Sequence, residues 1–226
     1  MSDVPFRTAI SPSDLTFRWS GCKRCFWMKY RLGIDLSMPF PGIVAALSSR
    51  QEKWYKERTT ADFSLDLPSG KVHSSGKKLV SAPIIVNGVE TQYTIVGKYD
   101  FLIEYDDGSF GVIDTKLSAK LGKADLYWPQ LAAYRHLLHY PATGERRDCS
   151  TLGLMVWTPT HAHRGTSDDF TVGFTATYEA VTEPSGEFEH LISAVVQLID
   201  SDTIPPTTDC ATCQFVAQHP SGRKPS

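Results

Sequence analysis

The chain has 226 residues, with 23 Lys and Arg against 25 Asp and Glu, a formal charge of −2, and 41% hydrophobic content. That length suits one sizeable α/β or α+β core. The near-zero charge lacks the strongly basic footprint usual in nucleic-acid-binding domains, although it permits a local basic groove. The longest apolar runs, "APIIV" and "LGLMVW", are too short to cross a bilayer, and "MSDVPFRTAI" lacks a basic-then-apolar leader, so a soluble cytoplasmic protein is expected.

In chain order, "SPSDL" reads as a helix start, with Ser11 as N-cap, Pro12 at the first position and Asp14 near the positive end of the helix dipole. The helical pattern resumes at "CKRCFWMKYRL" and stops at Gly33. After the breaker "MPFPG", "IVAALSSRQEKWYKER" reads as a second helix. Strands are expected over Lys77–Val86, Gln92–Tyr105 and Ser109–Leu117, the last two joined by the turn "DDGS". "DLYWPQLAAYRHLLHY" is an amphipathic helix with Pro129 in its first turn. "TLGLMVWTP" has the continuous apolar pattern of a strand buried on both faces. "DFTVGFTATYEAV" alternates as another strand, "FEHLISAVVQLID" is a last helix, and residues 217–226 read as a flexible tail.

The chemistry concentrates in "VGKYDFLIEYDDGSFGVIDTK". Alternation along a strand puts Asp114 and Lys116 on one face, with Thr115 opposite, and the "DDGS" turn folds Asp100 back beside Asp114. Two adjacent carboxylates repel and are costly to bury, and a divalent cation relieves both penalties. Mg²⁺ takes oxygen ligands and keeps several waters, so two carboxylates and a carbonyl suffice. Lys116 would stand next to such an ion, ready to orient water or neutralise a phosphoryl group. A solvated hairpin face with a cross-strand ion pair accounts for the same short motif.

"GKYD", then "GVIDTK", then "PQLAAY" resembles the G-x-x-D, (D/E)-x-K and Q-x3-Y motifs of the PD-(D/E)XK nuclease superfamily, in its RecB-like branch. "SPSDLTFRWSGCKRCFWMKYRLGI" and the two cysteine pairs are similar to the CRISPR adaptation and AddB-type nucleases of that branch, which carry an iron–sulfur cluster. The resemblance implies a restriction-endonuclease-like mixed sheet flanked by helices, spanning residues 1–226 as one domain. It also implies DNA cleavage with Mg²⁺ or Mn²⁺, on single-stranded or end-bearing DNA. Asp100 and Asp114 would hold the metal with the Thr115 carbonyl, and Lys116 would be the catalytic lysine. Gln130 and Tyr134, on one helix face, would look toward active site and DNA; for Tyr134 a core aromatic with a satisfied hydroxyl is the alternative. Asp114 stands where the family commonly has Glu. The first-helix ligand is not obvious; Glu52 is the candidate, with His73, in the loop-like "SGKVHSSGK", behind it.

Of five cysteines, Cys22 and Cys25 form one C-x2-C pair and Cys210 and Cys213 another, a pattern that argues for a metal centre over disulfides; Cys149 reads as a buried thiol. Residues 11–33 and 204–216 would together form this subdomain. Four thiolates suit a 4Fe–4S cluster or structural Zn²⁺; spacing favours zinc, resemblance favours the cluster, and the expectation here follows the resemblance. "HAHRG" (His161, His163, Arg164) reads as an exposed loop, and Lys116, Lys120, Lys123 and Arg135 as part of a basic rim. Trp54, Tyr127 and Trp128 are candidates for stacking on bases, and Trp27 reads as core. A catalytically inactive DNA-binding or repair-complex subunit is the main alternative function, and a structural zinc protein with a coincidental acidic hairpin is the third.

Overall fold

The computed structural model describes residues 6–35, 41–165, 168–207 and 209–218; the expected tail lies outside them from residue 219 onward. Strand β1 (Ala9–Ile10) precedes two short helices, α1 (Pro12–Gly21) and α2 (Lys23–Leu32). Pro12 starts α1, as its fixed φ favours, although Ser11 makes no side-chain cap and bonds Ser13 Oγ. Cys22 separates the helices: its extended backbone (φ −156°, ψ 112°) ends α1, and its sulfur accepts the Cys25 N–H at the start of α2. Gly33 ends α2 in the left-handed conformation (φ 71°). Buried Asp14 clamps the pair, accepting hydrogen bonds from Tyr30 Oη (2.8 Å) and Lys29 Nζ (3.1 Å) while Arg18 Nε lies 3.1 Å away.

Helix α3 (Gly42–Tyr55) packs on the main sheet through Gln51 and Tyr55. The main sheet is built from β2 (Gly70–Ser75), β7 (Phe101–Tyr105), β8 (Phe110–Leu117), β9 (Cys149–Arg164) and β10 (Phe170–Ala180), in the order β10-β9-β8-β7-β2. Within this sheet only β8 and β9 run parallel, and α4 (Trp128–His139) lies in the connection between them. A smaller sheet pairs β1, β6 (Thr94–Lys98) and β3 (Lys78–Val80); β4 (Ile85–Val86) and β5 (Val89–Glu90) form a hairpin. Helices α5 (Glu187–Asp200) and α6 (Ala211–Gln218) complete the order. The mixed sheet flanked by helices is the architecture expected from sequence.

One core lies between the sheet and α1, α4 and α5, with Leu15, Leu102, Val112, Leu131, Leu137, Leu154 and Val195 fully or almost fully buried. The other, under α3, gathers Tyr55, Phe63, Phe101, Ile103, Ile113 and Met155. Burial of such side chains stabilises by about 1.5–3 kcal/mol each. Among the described residues no helix is long and apolar enough to cross a membrane.

Four expectations need correcting. The segment 77–86 breaks at Ser81, whose hydroxyl accepts the Ile95 N–H. The segment 92–105 breaks at Tyr99–Asp100, where the chain leaves the small sheet for the large one. His73 lies on β2, not in a loop. His161 and His163 lie on β9, which continues to Arg164 because β10 pairs with it along that length.

Candidate active site and cysteine centre

Asp114 sits in β8 and is 3% exposed. Its side chain points to the α4 side, where Gln130 Nε2 donates to Oδ1 at 3.1 Å. Gln130 is itself held from behind, its backbone N–H donating to Thr16 Oγ1 of α1 at 3.1 Å. Lys116, two residues on, brings its ammonium against Asp114 Oδ2, and the same ammonium lies 5.0 Å from the Tyr127 ring centre. Strand alternation thus gives the pair, and α4 supplies the roof.

Asp100 reaches the site differently. It is not on a strand but at the corner between β6 and β7, so its side chain is not bound by strand alternation. Thr115 donates to Asp100 Oδ2 from both its backbone N–H and its hydroxyl, each at 2.7 Å. In an extended strand the N–H and C=O of one residue point the same way. The Thr115 carbonyl therefore also faces the Asp100 corner, beyond the last β7 partner, Phe101 opposite Ile113.

Tyr134 pins the other side of that corner. It is buried, and its hydroxyl donates to the Lys98 carbonyl at 2.8 Å. The approach needs Gly97: a Cβ there would lie 2.8 Å from Tyr134 Cε1 and 2.6 Å from Pro12 Cγ. Tyr134 is thus a buried aromatic with a satisfied hydroxyl, packed beside the Asp100 corner.

Electrostatics fits a cation site. Burial, only partly opposed by Lys116 and reinforced by the Asp100 charge, pushes Asp114 up to about 6. Burial works to lower Lys116, but Asp114 and then Asp100 outweigh it, so its pKa is raised. Tyr134 is also raised, first by burial and then by both carboxylates, which places all of these groups in one field.

Some buried polar atoms among the described residues have no hydrogen-bond partner within the protein. They include Gln130 Oε1 and both side-chain amide atoms of Gln51, which is 0% exposed. Gln51 occupies the α3 face that packs on β8, one turn before Tyr55. Sequence reading passed over it for its neighbour Glu52; the available signal was a polar residue in the Val44–Ser48–Gln51–Tyr55 stripe. Glu52 is half-buried at the rim, its carboxylate against Gly76, whose N–H donates to the Asp100 carbonyl at 3.0 Å. His73 is not brought to the site: it pairs with Glu104 at 2.9 Å, and Glu104 lies opposite Phe110, farther down the sheet from Asp114. Lys120 and Lys123 are exposed, but Arg135 is engaged by Glu183 and leaves the expected rim. Trp27 is buried, its indole donating to the Ser201 carbonyl at 2.9 Å.

The four paired cysteines converge although 185 residues and more separate the partners. Cys22 and Cys213 sulfurs lie 3.6 Å apart, Cys25 and Cys210 3.7 Å, and Cys25 and Cys213 3.9 Å. All four fit within 4.8 Å of one another, as a metal site requires. Cys149 is buried elsewhere, its thiol donating to the Thr151 carbonyl at 3.5 Å.

The fold is similar to that in the crystal structure of SSO0001, with a TM-score of 0.55 at 17% identity, over 95% of this chain and 86% of that one. No curated protein sequence matches the chain. The sequence profile of the PD-(D/E)XK nuclease superfamily matches residues 35–218, a span that holds Gln51, the Asp100–Asp114–Lys116 group, Gln130 and Tyr134. With most of its length and its whole acidic site inside that match, the chain belongs to the PD-(D/E)XK nuclease superfamily.

Proposed function

We propose that this protein is a nuclease that hydrolyses DNA phosphodiester bonds with Mg²⁺ or Mn²⁺, acting on single strands or free ends in repair, recombination or defence. The carrying observation is the convergence of Asp100, Asp114 and Lys116 under Gln130, in surroundings that leave buried polar atoms without partners. Asp100, Asp114 and the Thr115 carbonyl are a hard, oxygen-only donor set, which suits these ions. Bound there, such an ion would polarise the phosphate and lower the pKa of a water.

The chain's own residues do the rest. Gln130 fixes the Asp114 carboxylate, and its carbonyl oxygen is a buried acceptor without a hydrogen-bond partner within the protein. Thr115 fixes Asp100 through two donors on one oxygen, which leaves the other oxygen for a ligand. Lys116 offers a fixed positive charge where negative charge develops on the phosphate. Tyr134 holds the β6–β7 corner, keeping Asp100 at its station.

A groove of about 580 Å³ at the end of α3 supports the single-strand reading. Arg50, Lys53, Lys56 and Arg58 line it with the acid Glu57 around Trp54, which is 46% exposed with the Arg58 guanidinium 4.6 Å from its ring centre. Cations tracking a backbone beside an exposed aromatic suit unpaired bases. The thiol-rich cysteine centre fits a reducing, cytoplasmic compartment.

A second reading, a non-cleaving DNA-binding subunit, is favoured by one feature. The buried α3 residue facing β8 is neutral Gln51, and the acidic residue beside it, Glu52, stays half-buried at the rim against Gly76. Labelled single- and double-stranded DNA, incubated with Mg²⁺ or Mn²⁺, separates the two. Cleavage by the wild type but not by Asp114→Asn or Lys116→Ala supports the nuclease; tight binding without cleavage supports the subunit. Equal cleavage by all three proteins removes the site.

A further inference from the structure

The spacing of the four cysteine sulfurs disagrees with the iron–sulfur cluster that the family resemblance suggests. Four sulfurs each about 2.3 Å from a central ion occupy the corners of a tetrahedron with edges of about 3.8 Å. Three of the separations here, 3.6, 3.7 and 3.9 Å, straddle that edge. In a 4Fe–4S cubane each thiolate binds its own iron and points away from the cage. The four sulfurs are then spread by the width of the iron cage plus two outward bonds, beyond the 4.8 Å that contains all of them here. The hole among sulfurs in van der Waals contact admits one ion and no cage.

The backbone is arranged for the same end. Each C-x2-C pair folds so that the later cysteine's N–H donates to the earlier one's sulfur: Cys25 to Cys22 at 3.5 Å and Cys213 to Cys210 at 3.3 Å. Those donors stabilise charge on a bound thiolate and orient it. Cys22 sits at the α1–α2 break and Cys213 inside α6, so the centre ties the two helices at the ends of the described chain. Arg24 to the Pro205 carbonyl (2.9 Å) and Arg31 to Asp202 (2.6 Å) hold the approach segment in place beside it.

We propose that Cys22, Cys25, Cys210 and Cys213 bind a single tetrahedral Zn²⁺, and that this protein carries no iron–sulfur cluster. Tetrahedral all-sulfur coordination is what zinc takes in closed structural sites, with four protein ligands and no position for water. The centre is then a redox-inert staple between α2 and α6, independent of the carboxylate site and of whether the protein cleaves DNA.

The full chain, purified anaerobically from cells supplied with both iron and zinc, decides the matter by metal analysis, acid-labile sulfide and zinc-edge X-ray absorption. One zinc per chain, no labile sulfide, and a single shell of four sulfurs at about 2.3 Å is the expected result. Iron with stoichiometric sulfide and a brown colour, a mononuclear iron, or a folded chain with no metal would each overturn it. Cys213→Ala is expected to lose most of the zinc. Should that variant fail to fold, Cys213→His supplies the second arm. Zinc accepts a three-Cys, one-His set, so that variant should stay folded and keep one zinc; loss of zinc from a folded Cys213→His protein contradicts the proposal.

Discussion

The carboxylate site and the cysteine centre gather their ligands in opposite ways. Asp100, Asp114 and Lys116 come from 17 consecutive residues, the first at the β6–β7 corner and the other two on β8, yet their surroundings hold polar atoms without partners. The cysteines come from both ends of the described chain, yet they are brought together at ligand spacing, each pair with its own N–H···S bond. A centre that only holds helices together gains by being closed. A centre that handles substrate must leave charge and hydrogen-bonding capacity uncommitted, and the fold carries the desolvation cost of doing so. The rise of Asp114 to about 6 is a sign of that cost.

The largest expected effect tests the open side of this contrast. Asp114→Asn or Lys116→Ala should reduce DNA cleavage by at least ~10³-fold, read as initial rates at saturating Mn²⁺, while zinc content stays unchanged. Cleavage retained within a few-fold in either variant would mean that the uncommitted charge serves something else.

The pH response comes next. Asp114 has a raised pKa in the metal-free fold, so its contribution to stability is greatest in acid and is lost as pH rises through about 6. At neutral pH the buried charge destabilises the metal-free protein, by up to about 3 kcal/mol, and a divalent cation offsets that. Mn²⁺ should therefore raise the melting temperature more at pH 7.5 than at pH 5. Its affinity should fall by up to about tenfold per unit below pH 6, measured by titration calorimetry. A pH-independent affinity would detach Asp114 from the ion.

Two smaller effects sharpen the contrast. Trp54→Ala should weaken single-stranded DNA binding by about 1–3 kcal/mol and leave duplex binding nearly unchanged, measured by fluorescence anisotropy. Gln51→Leu removes two unsatisfied buried groups, so it should stabilise the metal-free fold by about 1–3 kcal/mol while weakening Mn²⁺ binding roughly tenfold. Stabilisation with unchanged metal affinity would make Gln51 a packing residue. Tyr134→Phe is the mildest, about 1 kcal/mol of stability for the lost bond to Lys98 and a several-fold loss of rate.

Much of this was legible in the sequence because it depends on local periodicity or spacing. The D-x-K pair follows from strand alternation, and the thiol pairs from C-x2-C spacing. What could not be read depends on where the chain changes layer. Asp100 looked like a strand residue because "YTIVGKYDFLIEY" is rich in β-branched and aromatic residues on both sides of it. The corner at Tyr99–Asp100 exists because β6 and β7 belong to different sheets. Gln51 was overshadowed by Glu52 because a charge on a helix is conspicuous in a sequence, whereas which face α3 buries is set by the sheet beneath it. His161 and His163 looked like loop residues because polar composition suggests exposure. They are exposed, on a β9–β10 pairing that runs beyond the last β8 partner, Leu117 opposite Trp157.

The most direct test of the central claim is anomalous diffraction from crystals of the protein soaked in Mn²⁺. The expected map has a peak between the Asp100 and Asp114 carboxylates, within bonding distance of the Thr115 carbonyl, and loses it in Asp114→Asn. A well-ordered map with no peak there, or with the Mn²⁺ only at some other site, would contradict the account.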